Sequence, residues 1–384
     1  MKKVLVSGAL STFLVLPASA IEIYSDDDKK VEIYGSIRGF MGYSESTKAE
    51  DPAAFLFGLQ SNSQFGVRAQ MGKFKANVEF GAREADVIPE APGNTTAPYR
   101  QYWGSYDTGY GVVLFGKTNS PSFDNGFSSN WLNIDSGMVG FGGLPTAKRH
   151  IQLQYNIAGF SIGVLEDVRG NGWSGTNNNP NQETPRIAAN YTINNDKGQP
   201  FFKIAGSYKY YNSGSINPSN PLIAENPGTH AYHIWLGLRP TFGNSFLSLV
   251  AQYGKNGYLY GEQVAGAYSR GGYTFANVGN GVGLDAEIAG GKVEFGTKLS
   301  QDVSLILGAG YQATYGGNKQ VEGNSGPIHS YAAFLQLPYK ANANVEVAPQ
   351  VTFYNTEGKK TSELIAGSNK QGSVIAGVRI KWDF

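Results

Sequence analysis

The chain is 384 residues long with a net charge of +1 and no cysteine, which excludes a disulfide framework or thiolate metal site and leaves no basic excess for nucleic acid. Charged residues make up only 16%, against 51 Gly, 23 Tyr and 21 Phe. That balance suits many tight turns and interfacial aromatic rings better than the core of a soluble β-sandwich.

The chain begins with Lys2 and Lys3, an apolar run from Val4 to Leu16, and small residues at Ala18 and Ala20. This is the pattern of a secretory signal peptide cleaved after Ala20, and the run falls short of the ~18 residues of a membrane helix. Loss of Lys2 and Lys3 takes the net charge from +1 to −1. Residues 21–384 then read as one domain, because no linker or composition shift interrupts them. Beyond residue 20 no apolar run approaches membrane-helix length, and the mean hydropathy is negative. Barrel strands escape such a scan, because lipid-facing and lumen-facing residues alternate.

In the first mature strand Val31, Ile33, Ile37, Met41 and Tyr43 alternate with Glu32, Tyr34, Ser36, Arg38 and Phe40. Similar runs are predicted at 62–71, 74–83, 99–107, 111–118, 150–156, 160–168, 185–194 and 201–211. They continue at 230–241, 245–254, 286–300, 302–315, 328–340, 344–354 and 371–384, which makes sixteen strands. In the last, Val374, Ala376, Val378, Ile380, Trp382 and Phe384 share one face, while Gly377, Arg379, Lys381 and Asp383 share the other. Short turns such as Met71-Gly72-Lys73, Thr108-Gly109-Tyr110 and Ala158-Gly159 alternate with long polar segments at about 45–58, 85–98, 119–148, 169–184, 212–229, 255–285, 316–327 and 355–370. The expectation is an all-β, transmembrane, 16-stranded antiparallel up-and-down β-barrel with short turns at one end and long loops at the other.

Phase also assigns charges to the lumen. Lys75, Glu79 and Arg83 alternate with Phe74, Ala76, Val78 and Phe80, and on the lipid face each would cost about 2–4 kcal/mol near the midplane. Lys148 and His150 share the phase of Gln152 and Gln154, whereas Arg149 needs a bulge to point inward. Catalytic chemistry finds little support. The histidines are His150, His230, His233 and His329, without a His-Glu-x-x-His spacing, and the glycine cluster Gly279 to Gly283 precedes no helix. No enzyme activity, cofactor or metal is expected.

Several segments resemble the general porins of Gram-negative bacteria, the enteric-type family of trimeric sixteen-stranded barrels. They are Ile21-Glu22-Ile23-Tyr24 followed by Val31-Glu32-Ile33-Tyr34-Gly35, then Ser63-Gln64-Phe65-Gly66-Val67, Tyr110-Gly111-Val112-Val113-Leu114-Phe115-Gly116-Lys117, and the terminal Phe384. The resemblance implies an inward-folded third loop, here from about Asn119 to Ala147, with Asp124 and Asp135 as constriction acids and Asp135-Ser136-Gly137 as its tip. It also implies an opposing basic wall of Arg38, Arg68, Arg100, Lys148 and Arg149. The match departs at Ser36 and Gln64, where the family carries basic residues; Arg38 and Arg68 lie two and four residues further on the same faces. Arg100, counted back from Gly104, falls out of the family's phase.

By that resemblance the chain is an outer-membrane diffusion channel for small hydrophilic solutes and ions, with weak charge selection. Expected partners are two further copies in a homotrimer, lipopolysaccharide and lipid, and the barrel-assembly machinery, which would read Trp382 and Phe384. The trimer contact would use strands one to five and the loop Glu84 to Pro98, with acids Glu84, Asp86 and Glu90. Two loop acids against several wall cations predict anion tolerance. A sugar-specific porin is the alternative, with Tyr34, Phe40 and the tyrosines of 255–285 as stacking steps. A plugged structural barrel is less expected, because sixteen strands leave an aqueous channel.

Overall fold

The computed structural model describes residues 20–46, 53–60, 62–81, 99–129, 138–144, 149–166, 184–212, 228–257, 287–315, 327–357 and 370–384. The signal-peptide expectation for residues 1–20 falls almost wholly outside them. The described elements are β1 (Ile21–Asp26), β2 (Lys29–Ser46), β3 (Ala54–Leu59), β4 (Gln64–Met71), β5 (Phe74–Gly81), β6 (Tyr99–Asp107), β7 (Val112–Asn119), β8 (Arg149–Ile157), β9 (Phe160–Leu165) and β10 (Arg186–Asn194). They continue as β11 (Pro200–Asn212), β12 (Gly228–Leu238), β13 (Thr241–Phe242), β14 (Ser245–Lys255), β15 (Glu287–Lys298), β16 (Ser304–Tyr315), β17 (Ile328–Gln336), β18 (Tyr339–Lys340), β19 (Val345–Glu357) and β20 (Lys370–Asp383).

All twenty belong to one antiparallel sheet, which closes because β20 pairs with β2, from Ser36 opposite Asp383 to Ser46 opposite Ser373. Four segments are extensions of others, which leaves a closed barrel of sixteen strands. β13 follows β12 across Pro240, and β18 follows β17 across Pro338. Proline lacks the N–H that a continuous ladder requires. β1 pairs with Lys29 to Ile33 and so carries on the line that β20 leaves at Gly35. β3 and β4 form one interrupted strand against the two halves of β2.

The upper half of that second strand corrects the expected loop 45–58. Phe55, Phe57 and Leu59 are exposed and Leu56 is buried, a strand alternation hidden by the polar break Gln60 to Ser63. The break serves Arg38: Gln60 N donates to Arg38 O (2.7 Å), and Ser63 Oγ accepts from Arg38 N (2.9 Å) and donates to Arg38 O (3.1 Å).

Alternation sorts the side chains by face throughout. On β20 Val374, Ala376 and Trp382 are exposed, while Ser373, Ile375 and Arg379 are buried. The exposed large apolar residues, among them Ile37, Phe65, Val67, Ile151, Leu153, Ile204 and Leu236, fall on the face a lipid would cover. The other face is mostly polar, with Gln152, Gln154, Ser248, Gln312, Gln350 and Thr352. A soluble protein would show the reverse, so the fold itself makes hydrocarbon the favourable surroundings.

Candidate functional site: the inner wall and the segment 119–144

Between β7 and β8 the described residues are 120–129 and 138–144, and both pieces are bonded to the inward face of distant strands. Five successive strands each supply a donor to a backbone carbonyl of the first piece. Asn190 Nδ2 on β10 donates to Pro121 O (2.8 Å), Lys203 Nζ on β11 to Phe123 O (2.9 Å), and Trp235 Nε1 on β12 to Ser122 O (2.7 Å). Ser248 Oγ on β14 and Lys292 Nζ on β15 both donate to Phe127 O (2.7 Å each). Arg239 adds a bond to Gly126 O. An irregular backbone can lie against a wall only if its carbonyls find donors, and here the wall supplies them.

Lys292 is also ion-paired with Glu294, both side chains being fully buried. Just past the end of β12, burial draws the Arg239 guanidinium below its ordinary range, while Glu294 and Asp124 oppose the shift. Phe127 packs edge-on to Trp235 (5.8 Å) and joins Leu144, Ala205 and Val250 in an apolar cluster. The second piece is anchored further round. Gln252 Nε2 donates to Gly142 O (3.2 Å) and Gly143 O (3.1 Å), and Met138 and Phe141 pack with Phe40, Leu56, Ile306, Phe334, Tyr354 and Ile375. Close approach requires glycine here: Gly142 has φ +96°, and a Cβ on Gly310 would strike Phe141 O.

Across the barrel a second polar group centres on Glu79. Arg100 Nε donates to its Oε1 (2.8 Å), while Tyr34 Oη (3.0 Å) and Gln101 Nε2 (3.2 Å) donate to Oε2. Arg100 Nη2 also donates to Gln64 Oε1 (3.0 Å). The inward turn of Arg100, against its sequence phase, comes from a β-bulge: Glu79 faces Gln101 and Phe80 faces Tyr99, which leaves Arg100 as the extra residue. Arg149, at the first position of β8, acts electrostatically on Glu79. The Arg68 guanidinium lies 3.9 Å over the Tyr34 ring, and Arg38 Nε donates to Ser36 Oγ (2.9 Å), which donates to Asp383 Oδ1 (2.7 Å). Lys381 pairs with Asp383 (2.7 Å) and Arg379 with Glu346.

The expected site residues therefore fall into three groups. Arg38, Arg68, Lys75 and Arg100 are half-buried on the inward face, with Glu79 buried among them. Asp124 lies in the first loop piece but is 1% exposed, its carboxylate accepting from Gly126 N (3.2 Å), Phe127 N (2.9 Å) and Ser128 Oγ. Asp135, Lys148 and Arg83 lie outside the described residues. The expected stacking steps Tyr34 and Phe40 are 0% and 4% exposed, so neither ring meets water. Trp382 is exposed on the outer face, and Phe384 exchanges backbone hydrogen bonds with Gly35. Among the described residues no three His, Asp or Glu side chains converge as metal ligands.

Sequence reasoning missed the donors Asn190, Lys203, Trp235, Ser248 and Lys292. Alternation with Ile and Leu neighbours puts them inward, but nothing in the local sequence says that they meet residues 121–127.

Solved structures share this architecture. The outer membrane channel DcaP of Acinetobacter baumannii aligns with a TM-score of 0.63 at 15% identity, over 94% of this chain and 99% of that one. OmpF of Salmonella typhi, in complex with daunomycin, aligns at 0.59 and 15% identity over 95% and 100%. The anion-selective porin from Comamonas acidovorans aligns at 0.58 and 15% identity over 93% and 100%. No protein-family model matches the chain, and no curated protein matches its sequence. At such identity the likeness is one of fold: a sixteen-stranded porin barrel.

Proposed function

We propose that the protein is a passive diffusion channel of the bacterial outer membrane, passing small hydrophilic solutes and ions down their gradients. One observation carries this reading: residues 120–129 and 138–144 are bonded by wall donors to one side of a closed sixteen-stranded barrel, while the opposite inner wall keeps Arg38, Arg68 and Lys75 partly exposed. Side chains alone do not fill a barrel of this strand number. A strap fixed across one sector narrows the bore without closing it, which gives exclusion by size. Charges facing the remaining bore act through low-dielectric walls and so bias which ions enter.

In this reading the strap is an inward-folded third loop. Asp135 and Lys148 complete the constriction, with Arg83 as a further lumen charge. Asp124, its carboxylate turned onto its own loop, holds the strap's shape and does not face the bore. The chain reaches the membrane through cleavage after Ala20 and assembly by machinery that reads Phe384. Exposed Tyr43, Phe55 and Phe57, with ring centroids 5.3 and 6.4 Å apart in sequence, form an outer patch for packing in a homotrimer. Lipopolysaccharide surrounds the trimer.

Single-channel conductance of the purified protein in a planar bilayer tests the reading, together with swelling of liposomes in neutral sugars of increasing size. Ohmic steps and a sharp size limit are expected. Saturable flux of a single sugar would replace a general channel by a specific one, and no conductance would overturn both.

A further inference from the structure

The inward phase of the wall carries aromatic rings as well as polar groups, and most of these rings are sealed. Tyr34, Phe40, Trp235, Phe334 and Tyr354 are at most 5% exposed. Among the described inward aromatic residues of the strands, Phe246 and Trp103 are half-buried. One face of the Phe246 ring is already taken, because the Arg239 guanidinium lies 3.9 Å over its centroid, and the ring fills the place of a Cβ on Gly296. Trp103 differs: among the described residues no ring or cation stacks on its indole.

Register turns Trp103 inward. On β6 it stands opposite Asn77 of β5 and Gly116 of β7, while its neighbour Tyr102 is exposed on the outer face. The strap is bonded to β10, β11, β12, β14 and β15, so β6 borders the part of the bore that the strap leaves. The indole is held by its edge. Its Nε1 donates to Gln101 Oε1 (3.1 Å), which also accepts from Thr118 Oγ1 (3.2 Å), while Gln101 Nε2 donates to Glu79 Oε2 (3.2 Å). The ring plane is thereby fixed and its face stays unclaimed. Beside it Gly116 has φ +129°, and a Cβ there would strike Tyr102 O and Trp103 Cα, so no side chain fills that flank. The polar neighbours are committed or sealed: Asn77 is buried and accepts from Tyr34 (2.8 Å), and Ser105 and Thr118 are buried. A sugar needs donors and acceptors around its rim, whereas a flat aromatic ring needs only the face.

We infer that Trp103 is a stacking step for planar aromatic solutes, which are held on the indole longer than saturated solutes of the same size as they cross the barrel. The inference rests on the channel reading above and adds a class of solute that the pore retains. A flat ring lying offset on the indole removes two apolar faces from water, and its polar substituents stay in the aqueous bore.

Single-channel current through the full-length mature protein in a planar bilayer tests it, with benzamide as the planar, uncharged probe, cyclohexanecarboxamide as its saturated counterpart, and maltose as a sugar. Benzamide should lower the current saturably, with half-effect at a concentration about fivefold below that of cyclohexanecarboxamide. Trp103→Leu should remove the difference between the two amides and Trp103→Tyr should keep it, with heat-modifiable gel migration confirming folded barrels. Tyr102→Leu, on the outer face, should leave the difference as it is. Equal action of the two amides on the unaltered protein, which needs no variant to fold, overturns the step while the channel stands. So does a difference that persists in folded Trp103→Leu protein, or half-effect by maltose at a lower concentration than benzamide. A folded barrel without conductance overturns the channel reading and the step with it.

Discussion

Phe384 closes the barrel onto Gly35. Gly35 N donates to Phe384 O (2.7 Å) and Phe384 N donates to Gly35 O (3.0 Å), while the Phe384 ring lies where a Cβ on residue 35 would stand. The ring thus covers a backbone position that has no Cβ to obstruct it, and pairing and packing at the seam depend on each other. Gly35→Ala should displace the ring and cost about 1–3 kcal/mol, the usual penalty of overpacking a filled site. A lowered urea midpoint in detergent would register this, and Phe384→Ala in the Gly35→Ala background should add little further loss.

The pair Lys292 and Glu294 makes a different prediction. Both side chains are fully buried, and Lys292 also donates to Phe127 O in the strap. Removing one member of a buried pair strands the other, so Lys292→Met should destabilise by about 3–5 kcal/mol. The double change Lys292→Met/Glu294→Leu should recover much of that loss while still lacking the strap bond. Its unfolding midpoint should therefore approach that of the unaltered protein, while its single-channel current grows noisier.

Much of this fold was legible in the sequence because a barrel strand is a local signal. Val374 to Phe384 shows its two faces by alternation alone, and the same period finds each of the sixteen strands. What was not legible is non-local. The upper half of the second strand, Ala54–Leu59, was hidden because four polar residues break its period. Arg100 falls out of phase because the bulge that turns its guanidinium onto Glu79 and Gln64 leaves no mark in a count of residues. Asp124 belongs to the segment that the resemblance indicates, but the turn of its carboxylate back onto Gly126 and Phe127 is a feature of the fold that no local sequence pattern announces.

The turn between β8 and β9 bears on stability. Ile157 pairs with Phe160 across Ala158 and Gly159, both at positive φ (+48° and +83°), as a two-residue hairpin of the favoured twist demands. Alanine in that region costs roughly 1–2 kcal/mol relative to a residue at ease there. Ala158→Asn or Ala158→Gly should raise the unfolding midpoint, by about 0.5–1 kcal/mol in free energy once the looser unfolded chain is counted. Conductance should not change, since the turn lies at the end of the barrel, away from the residues that meet 120–129 and 138–144.

Glu79 ties stability to selectivity. Its carboxylate accepts from Arg100, Tyr34 and Gln101, and it is 2% exposed. Glu79→Gln keeps the shape but removes the negative charge that Arg100 Nε pairs with, at a cost of about 3 kcal/mol. The Arg100 charge, no longer offset by Glu79, adds to the field in the bore, so the chloride-to-potassium permeability ratio should rise. Arg100→Gln should destabilise to a similar degree, because Glu79 then stays charged and buried, but chloride preference should fall. Paired measurements of urea midpoint and reversal potential separate the two effects: stability drops in both variants, selectivity moves in opposite directions. If both variants shift the reversal potential the same way, the change comes from altered bore geometry and not from the charge at this site.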